Sequence, residues 1–207
     1  MEILIDNRER AITDNHFLFA LGKKDIVKYD MSFRRLQMTI SDFAICYKGK
    51  ILLLIERKTW KDLAATIKDV KRRKNYEKML KAKEENPTCL QVIYLIEGAF
   101  MTNRQQKIRR MEYSSLQSHL DHLMYNHNIH CVRSRNKQDT AYRIVELAKN
   151  LMNTDILKDE EKFGGEDPAK TLTAKIETPD EVIAAGMLRS QKGISEAMSY
   201  MLCKKKI

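Results

Sequence analysis

From Met1 to about Met152 the chain alternates two kinds of segment: short runs rich in β-branched and aromatic residues, and longer stretches whose apolar residues recur every three or four positions. This alternation constrains the fold more than any other feature, because strands divided by helices pack as a central sheet with helices over its faces. The strand-like runs are EILID, a short DIVKYDM, RLQMTISDFAICY, KILLLIE, LQVIYLIE and IHCVRS, most of them dominated by Val, Ile, Tyr or Phe,. TWKDLAATIKDV and the basic run after it read as helical. So do YSSLQSHLDHLMYNHN, with Leu116, Leu120, Leu123 and Met124 on one face, and DTAYRIVELAKNLMN, with Ala141, Ile144, Val145, Ala148 and Leu151 at the same spacing. The expectation is an α/β domain over residues 1–153, built on a central mixed sheet flanked by helices.

The stretch TDILKDEEKFGGEDPAKTLTAKIE, residues 154–177, is polar, carries Gly-Gly and a Pro, and shows no sustained period, so it is expected to be a linker,. After it, Thr178-Pro179-Asp180-Glu181 places an N-cap Thr, a first-turn Pro and an N3 Glu in the order that starts a helix,. PDEVIAAGMLRS and SEAMSYMLCKKK then flank the turn QKGI, so residues 178–207 are expected to form a small all-α segment.

A length of 207 residues with 43% apolar content suffices for a proper core without staples,. Cys46, Cys89, Cys131 and Cys203 are scattered and form no CxxC pair, which argues against a disulfide framework or a zinc knuckle and for reduced thiols in an intracellular protein,. No apolar run approaches the ~18 residues needed to cross a bilayer, and charges inside MEILIDNRER do not suit a secretory leader,. The expected compartment is the nucleus in a cellular eukaryote and the cytoplasm otherwise. The net charge of +10, with pI near 9.4, favours a polyanionic partner, since neutralising phosphates releases condensed counterions,. Nucleic acid leads because DVKRRKNYEKMLKAK and NRQQKIRR concentrate that charge; neither has the large apolar face that a membrane surface would take,.

The run ILLLIE ends in Glu56-Arg57-Lys58, three charges at a place where burial makes charge costly. Residues two apart on a strand share a face, so Glu56 and Lys58 are presented together and Arg57 points to the other side. If the preceding strand pairs with this one through YKGK, Asp42 lies beside Glu56. Two carboxylates and a lysine suit metal-assisted phosphodiester hydrolysis: hard oxygen donors for Mg²⁺, with Mn²⁺ as a substitute, and an ammonium to orient water or stabilise developing negative charge. An isolated strand-end ion pair would be common and worth little.

The fuller pattern, Asp42 followed by Glu56-Arg57-Lys58 and then Asp62, resembles the signature GDx(n)ERKx(3)D of the XPF family of structure-selective DNA endonucleases. The resemblance runs over nearly the whole chain. LIDNRER looks like the family's first strand and implies Asp6 as a further acid near the metal. SDFAI resembles the Gly-Asp-Tyr/Phe element with Ser41 in place of the Gly, and ERKTWKDLAATIKD matches the signature and its helix. Where the family continues with Asp-Gly-Arg and a later Gln, this chain has Asp69-Val70-Lys71-Arg72 and Tyr76. VIYLIEG and RSRNKQDTAYRI resemble the strand that closes the core and the next strand-to-helix passage. MLRSQKGISEAMSYML looks like one helix-hairpin-helix, where family members usually carry two.

The resemblance implies a restriction-endonuclease-like core that cuts branched or flapped DNA, with Asp42, Glu56, Arg57, Lys58 and Asp62 at the catalytic site and Asp6, Asp42 and Glu56 around the metal. The density of charge at Lys71, Arg72, Arg73 and Lys74 beside the acids favours contacts to the DNA backbone, and Arg8 is a candidate phosphate contact,; the resemblance implies hairpin contacts from Lys192 and Gly193 and a homodimer or a heterodimer with a related subunit. Arg8 and Arg57 have a second reading as buried ion pairs with Asp62 and Glu9. Trp60 is expected to pack beneath the site. His119, His122, His127 and His130 lack the Cys or carboxylate partners of helical zinc motifs and read as ordinary helix and loop histidines,. No Gly-rich phosphate loop supports ATP-driven movement,. Two rival functions remain: a non-catalytic DNA-binding partner subunit, and a phosphodiesterase acting on small nucleotides or RNA.

Overall fold

In chain order the structure, a computed structural model that describes residues 1–68, 75–99, 101–158, 163 and 167–173, begins with β1 (Glu2–Asp6), α1 (Asp14–Leu21), β2 (Ser32–Leu36), β3 (Phe43–Tyr47) and β4 (Lys50–Thr59). Then come α2 (Trp60–Lys68), α3 (Asn75–Glu85), β5 (Gln91–Glu97), a small hairpin of β6 (Lys107–Ile108) and β7 (Met111–Glu112), α4 (Tyr113–His127), β8 (His130–Ser134) and α5 (Lys137–Met152). A 3-10 turn (Asp155–Lys158) and α6 (Ala169–Thr173) follow. Six strands form one mixed sheet in the order β2-β1-β3-β4-β5-β8, in which β3 is antiparallel to both its neighbours and the remaining pairs are parallel. This is the α/β architecture expected from the alternation.

Strand periodicity divides the core between two faces. Ile3, Ile5, Phe43, Ile45, Leu53, Ile55, Ile93 and Leu95 pack with Phe17 and Ala20 of α1 and with Ala141, Ile144, Val145 and Ala148 of α5. The alternate residues, among them Leu4, Leu54, Val92, Tyr94 and Ile96, are also buried, and so are Leu63 of α2, Met79 of α3 and Leu116, Leu120 and Leu123 of α4. Every residue of β5 is buried, as suits a strand covered on both sides,.

Three local expectations are corrected. DIVKYDM is not a strand: it forms local turns in which Ile26, Val27 and Tyr29 donate to carbonyls three or four residues back. RLQMTISDFAICY is two strands, because β2 lies parallel on one side of β1 and β3 antiparallel on the other, and the chain must cross over between Leu36 and Phe43. α1 was not foreseen; it buries Phe17 and Ala20 but exposes Leu18 and Phe19, which blurs its period.

Part of the stretch read as a linker is folded onto the sheet domain. Leu172 is fully buried, its carbonyl accepts from Thr39 N (2.9 Å) and Oγ1 (3.1 Å), and Asp167 pairs with Arg34 of β2 at 2.9 Å. A single buried Leu in polar surroundings has no period to betray it. All described residues fall within one compact unit, Met1–Ala174. The expected helix-hairpin-helix with Lys192 and Gly193, and the basic residues Lys71, Arg72, Arg73 and Lys74, lie outside the described residues.

Candidate active site

β4 is a central strand, and its buried run carries Glu56 to the sheet's end with only 4% of its surface exposed. Lys58, two residues on and on the same face, donates from Nζ to Glu56 Oε1 at 2.6 Å. Lys48 and Gly49 close the β3–β4 hairpin with positive φ of 45° and 82°, a geometry in which glycine adds no steric cost,. The register that results sets Phe43 opposite Ile55, so Asp42 lies beside Glu56. Its carbonyl accepts from Asp6 N (2.8 Å) and its Oδ2 from Arg57 N (2.9 Å), tying the residue to both neighbouring strands.

The two carboxylates repel. Burial first, and the charge of Glu56 second, push the Asp42 carboxyl up to about 8, against the pull of the Arg57 N–H and Lys58. Tyr94, in register with Glu56 on β5, is driven above the ordinary phenol range by burial and then by the Glu56 charge. Such a pocket of concentrated negative charge stabilises a cation.

Asp6 lies on the same face as Leu4 and is 2% exposed, but its oxygens are already engaged. Arg8 donates to Oδ1 from its backbone (3.1 Å) and to Oδ2 from Nε (2.8 Å) and Nη2 (2.5 Å), and also donates to the Met38 carbonyl. The guanidinium is held charged chiefly by that bond to Asp6, and Asp42 and Glu56 add to the effect, so all three acids lie within its field. Arg8 therefore pairs with Asp6, not with Asp62 as one expectation had it. Among the described residues no group of three or more His, Cys, Asp or Glu side chains is gathered around one point. The side chains that could be offered to a hard divalent cation are thus Asp42 and Glu56, while Asp6 is held by Arg8.

Arg57, grouped with the catalytic residues in the sequence pattern, has its side chain on the opposite face. It is 8% exposed and donates to Glu97 Oε2 (2.9 Å) and Oε1 (2.6 Å) and to Glu9 Oε2 (3.3 Å). The Glu9 half of the ion-pair reading holds. Only its backbone N–H reaches the acids, through Asp42. Thr140 of α5 donates to Glu97 at 2.7 Å. Burial works to raise the Glu97 carboxyl, and the bonds from Arg57 and Thr140 more than offset it, leaving it below the ordinary range. The sequence pattern does not single out Glu97, although it ends the buried run LQVIYLIE just as Glu56 ends ILLLIE.

Thr59 caps α2: its Oγ1 accepts from the N–H of Asp62 in the first turn (3.2 Å), and its hydroxyl donates to Asp62 Oδ2 (2.6 Å),. Asp62 is exposed and serves the helix that follows the acids. Trp60 is buried, edge-on to Tyr113 at 4.8 Å and beneath the Arg133 guanidinium. Tyr76 contacts the His127 ring at 4.8 Å, and His127 contacts His122 at 5.6 Å.

The sheet order, with two acids and a lysine at the end of a central strand, defines the class as an α/β nuclease fold of the restriction-endonuclease-like kind. Comparison with known proteins agrees. Residues 5–147 match the model of the ERCC4 domain. The ERCC4 domain-containing protein EP364R of African swine fever virus is 32% identical over 151 residues in a Namibian warthog isolate, covering 70% of this chain and 40% of that protein. In a Kenyan pig isolate it is 37% identical over 112 residues, covering 54% and 30%. The chain thus spans well under half the length of these curated relatives. XPF from Aeropyrum pernix superposes with a TM-score of 0.51 at 17% identity, over 99% of this chain and 81% of that one. The same protein in complex with DNA gives 0.52 at 16%, over 99% and 80%. At such identity the likeness is one of fold.

This chain belongs to the ERCC4 domain family, that of the XPF-type nucleases. No helix among the described residues is long and apolar enough to cross a membrane.

Proposed function

We propose that the chain is a metal-dependent endonuclease that hydrolyses phosphodiester bonds in branched or flapped DNA. The observation that carries this reading is the corner formed by Asp42, Glu56 and Lys58, where two carboxyl groups lie close enough to raise the pKa of Asp42 and an ammonium stands 2.6 Å from Glu56. Mg²⁺, or Mn²⁺ in its place, would be held by Asp42 and Glu56 and would supply Lewis-acid polarisation of the phosphate and a more acidic water. Asp42 has to lose its proton to serve as a ligand, so metal binding should release a proton and weaken as pH falls,. Lys58, held against Glu56, is placed to orient the attacking water and to stabilise the charge that develops on phosphate oxygen. Arg57 fixes the site from behind: its backbone N–H orients Asp42 while its side chain anchors the strand end to Glu97 and Glu9.

DNA as substrate is supported by the net charge of +10 and by the likeness of fold to an XPF seen with DNA. A dimer through nuclease domains and C-terminal segments belongs to the same proposal, and light scattering of the full chain tests it. The decisive experiment incubates labelled flap, fork, splayed-arm and linear duplex DNA with the protein, with and without Mg²⁺. Wild type should cut the branched forms only with metal. Asp42→Asn and Glu56→Gln should bind but not cut, and Lys58→Ala should be inactive while retaining metal. Cleavage by Asp42→Asn at the wild-type rate would overturn the site.

A further inference from the structure

The β6–β7 hairpin is closed by two residues, Arg109 and Arg110, and both have positive φ, 46° and 66°. A two-residue hairpin with φ > 0 at both positions follows the type I′ pattern, whose usual occupants are Asn-Gly, Asp-Gly or Gly-Gly. The β3–β4 hairpin of this same chain obeys that rule at its second position with Gly49. Here two arginines hold a conformation that L side chains adopt only under strain, and such outliers concentrate where function requires them.

The strained tip is firmly held. Ile108 is buried, Tyr113 N donates to Gln106 O (2.9 Å), Ser114 N to Arg104 O (3.0 Å), and Lys68 at the end of α2 donates from Nζ to Arg109 O at 2.7 Å. Both arginines are exposed, and among the described residues neither guanidinium has an ion-pair or hydrogen-bond partner. Beside the hairpin a cavity of about 940 Å³ opens at the carboxyl ends of β4, β5 and β8, with Lys61, Lys107, Arg109, Arg135 and Lys137 in its lining. Its acidic wall, Glu97, is already neutralised by Arg57; Glu112 faces Lys107 across the hairpin, and Asp139 pairs with Arg135. Trp60, packed under Arg133 and against Tyr113, also lines the cavity.

We infer that the Arg109–Arg110 tip and the cavity beside it form a second nucleic-acid subsite. The two guanidiniums grip successive phosphates of a DNA strand. This rests on the endonuclease reading and adds to it a surface outside the acid site. α2 leads from the ERK strand to Lys68 beneath the hairpin, and its nine residues span ~13 Å,.

The test measures binding of a fluorescein-labelled splayed-arm DNA across a salt series, in EDTA so that nothing is cut, together with thermal unfolding. Two double variants are compared with wild type. Arg109→Gln with Arg110→Gln removes the charge and keeps the strained turn; Arg109→Asn with Arg110→Gly removes both. Each should weaken binding roughly tenfold and flatten the slope of log K against log salt by about one per arginine. Only the Asn-Gly variant should melt higher, by about 4 °C. Affinity and slope equal to wild type in both variants would overturn the subsite while leaving the endonuclease reading intact, and no Tm gain from Asn-Gly would overturn the strained-turn argument. A wild-type protein that binds no DNA at all would sink the endonuclease reading as well.

Discussion

Replacing Arg57 with Met separates a structural ion pair from a catalytic group. The guanidinium is 8% exposed, and its partners Glu97 and Glu9 are 10% and 11% exposed, so water cannot take over its three hydrogen bonds. Removing one member of a buried charge network leaves the others uncompensated, at a cost of about 3–5 kcal/mol. For a domain of this size that corresponds to a fall in melting temperature of roughly 10 °C. Most of the loss comes from Glu97, so adding Glu97→Gln to Arg57→Met should restore a good part of it.

The sign of the pH dependence also follows. Glu97 is held below the usual glutamate value of 4.5, so it adds stability that is present in full above that value and is lost as pH falls through its folded value,. The gap between wild type and Arg57→Met should therefore be widest near neutrality and narrow in acid. Urea titrations at several pH values would measure it. A variant within ~1 kcal/mol of wild type at neutral pH would refute the argument, as would one that keeps full stability yet loses cleavage.

Asp42→Asn should stabilise the metal-free protein at alkaline pH. A rise from 3.8 to about 8 means that the charged form is disfavoured, so Asp42 progressively destabilises the fold as pH climbs between those values,. With relaxation and water access to a half-buried group, ~2 kcal/mol is a working figure, so calorimetry in EDTA should show a gain of about 4–8 °C near pH 9 that shrinks towards pH 5. Gly98→Ala should cost about 2 kcal/mol or more in a denaturant titration, since Gly98 has φ +133° and an added Cβ would sit 2.8 Å from Trp60 Cδ1,. Leu172→Ala should cost about 2–4 kcal/mol and expose residues 167–173 to proteolysis, because this side chain is fully buried; an unchanged midpoint would show that α6 does not contribute to the domain,.

The alternation of strand and helix, the shared face of Glu56 and Lys58, and the placing of Asp42 beside them through the YKGK turn were all legible in the amino-acid order. Each depends on backbone periods of 2 and 3.6 residues and on a short hairpin, and these are local properties of the chain. What lies across a face is not local. Parity alone shows that Arg57 points away from Glu56, but only the parallel pairing of β4 with β5 brings Glu97, forty residues later, against its guanidinium. Asp6 is an acid near the site by sequence, and only the folded turn after β1 shows that Arg8 holds it. α1 and the Leu172 anchor are not legible in the sequence because each buries too few residues to leave a period, and neither is the break between Leu36 and Phe43, because β1 accepts a different strand on each edge. The chain's own periodicity therefore determined which elements form and which residues share a face. Which charges meet, and so which of them remain available to a metal, was decided by the order of strands in the sheet, since that order alone sets the distances between residues far apart in the chain.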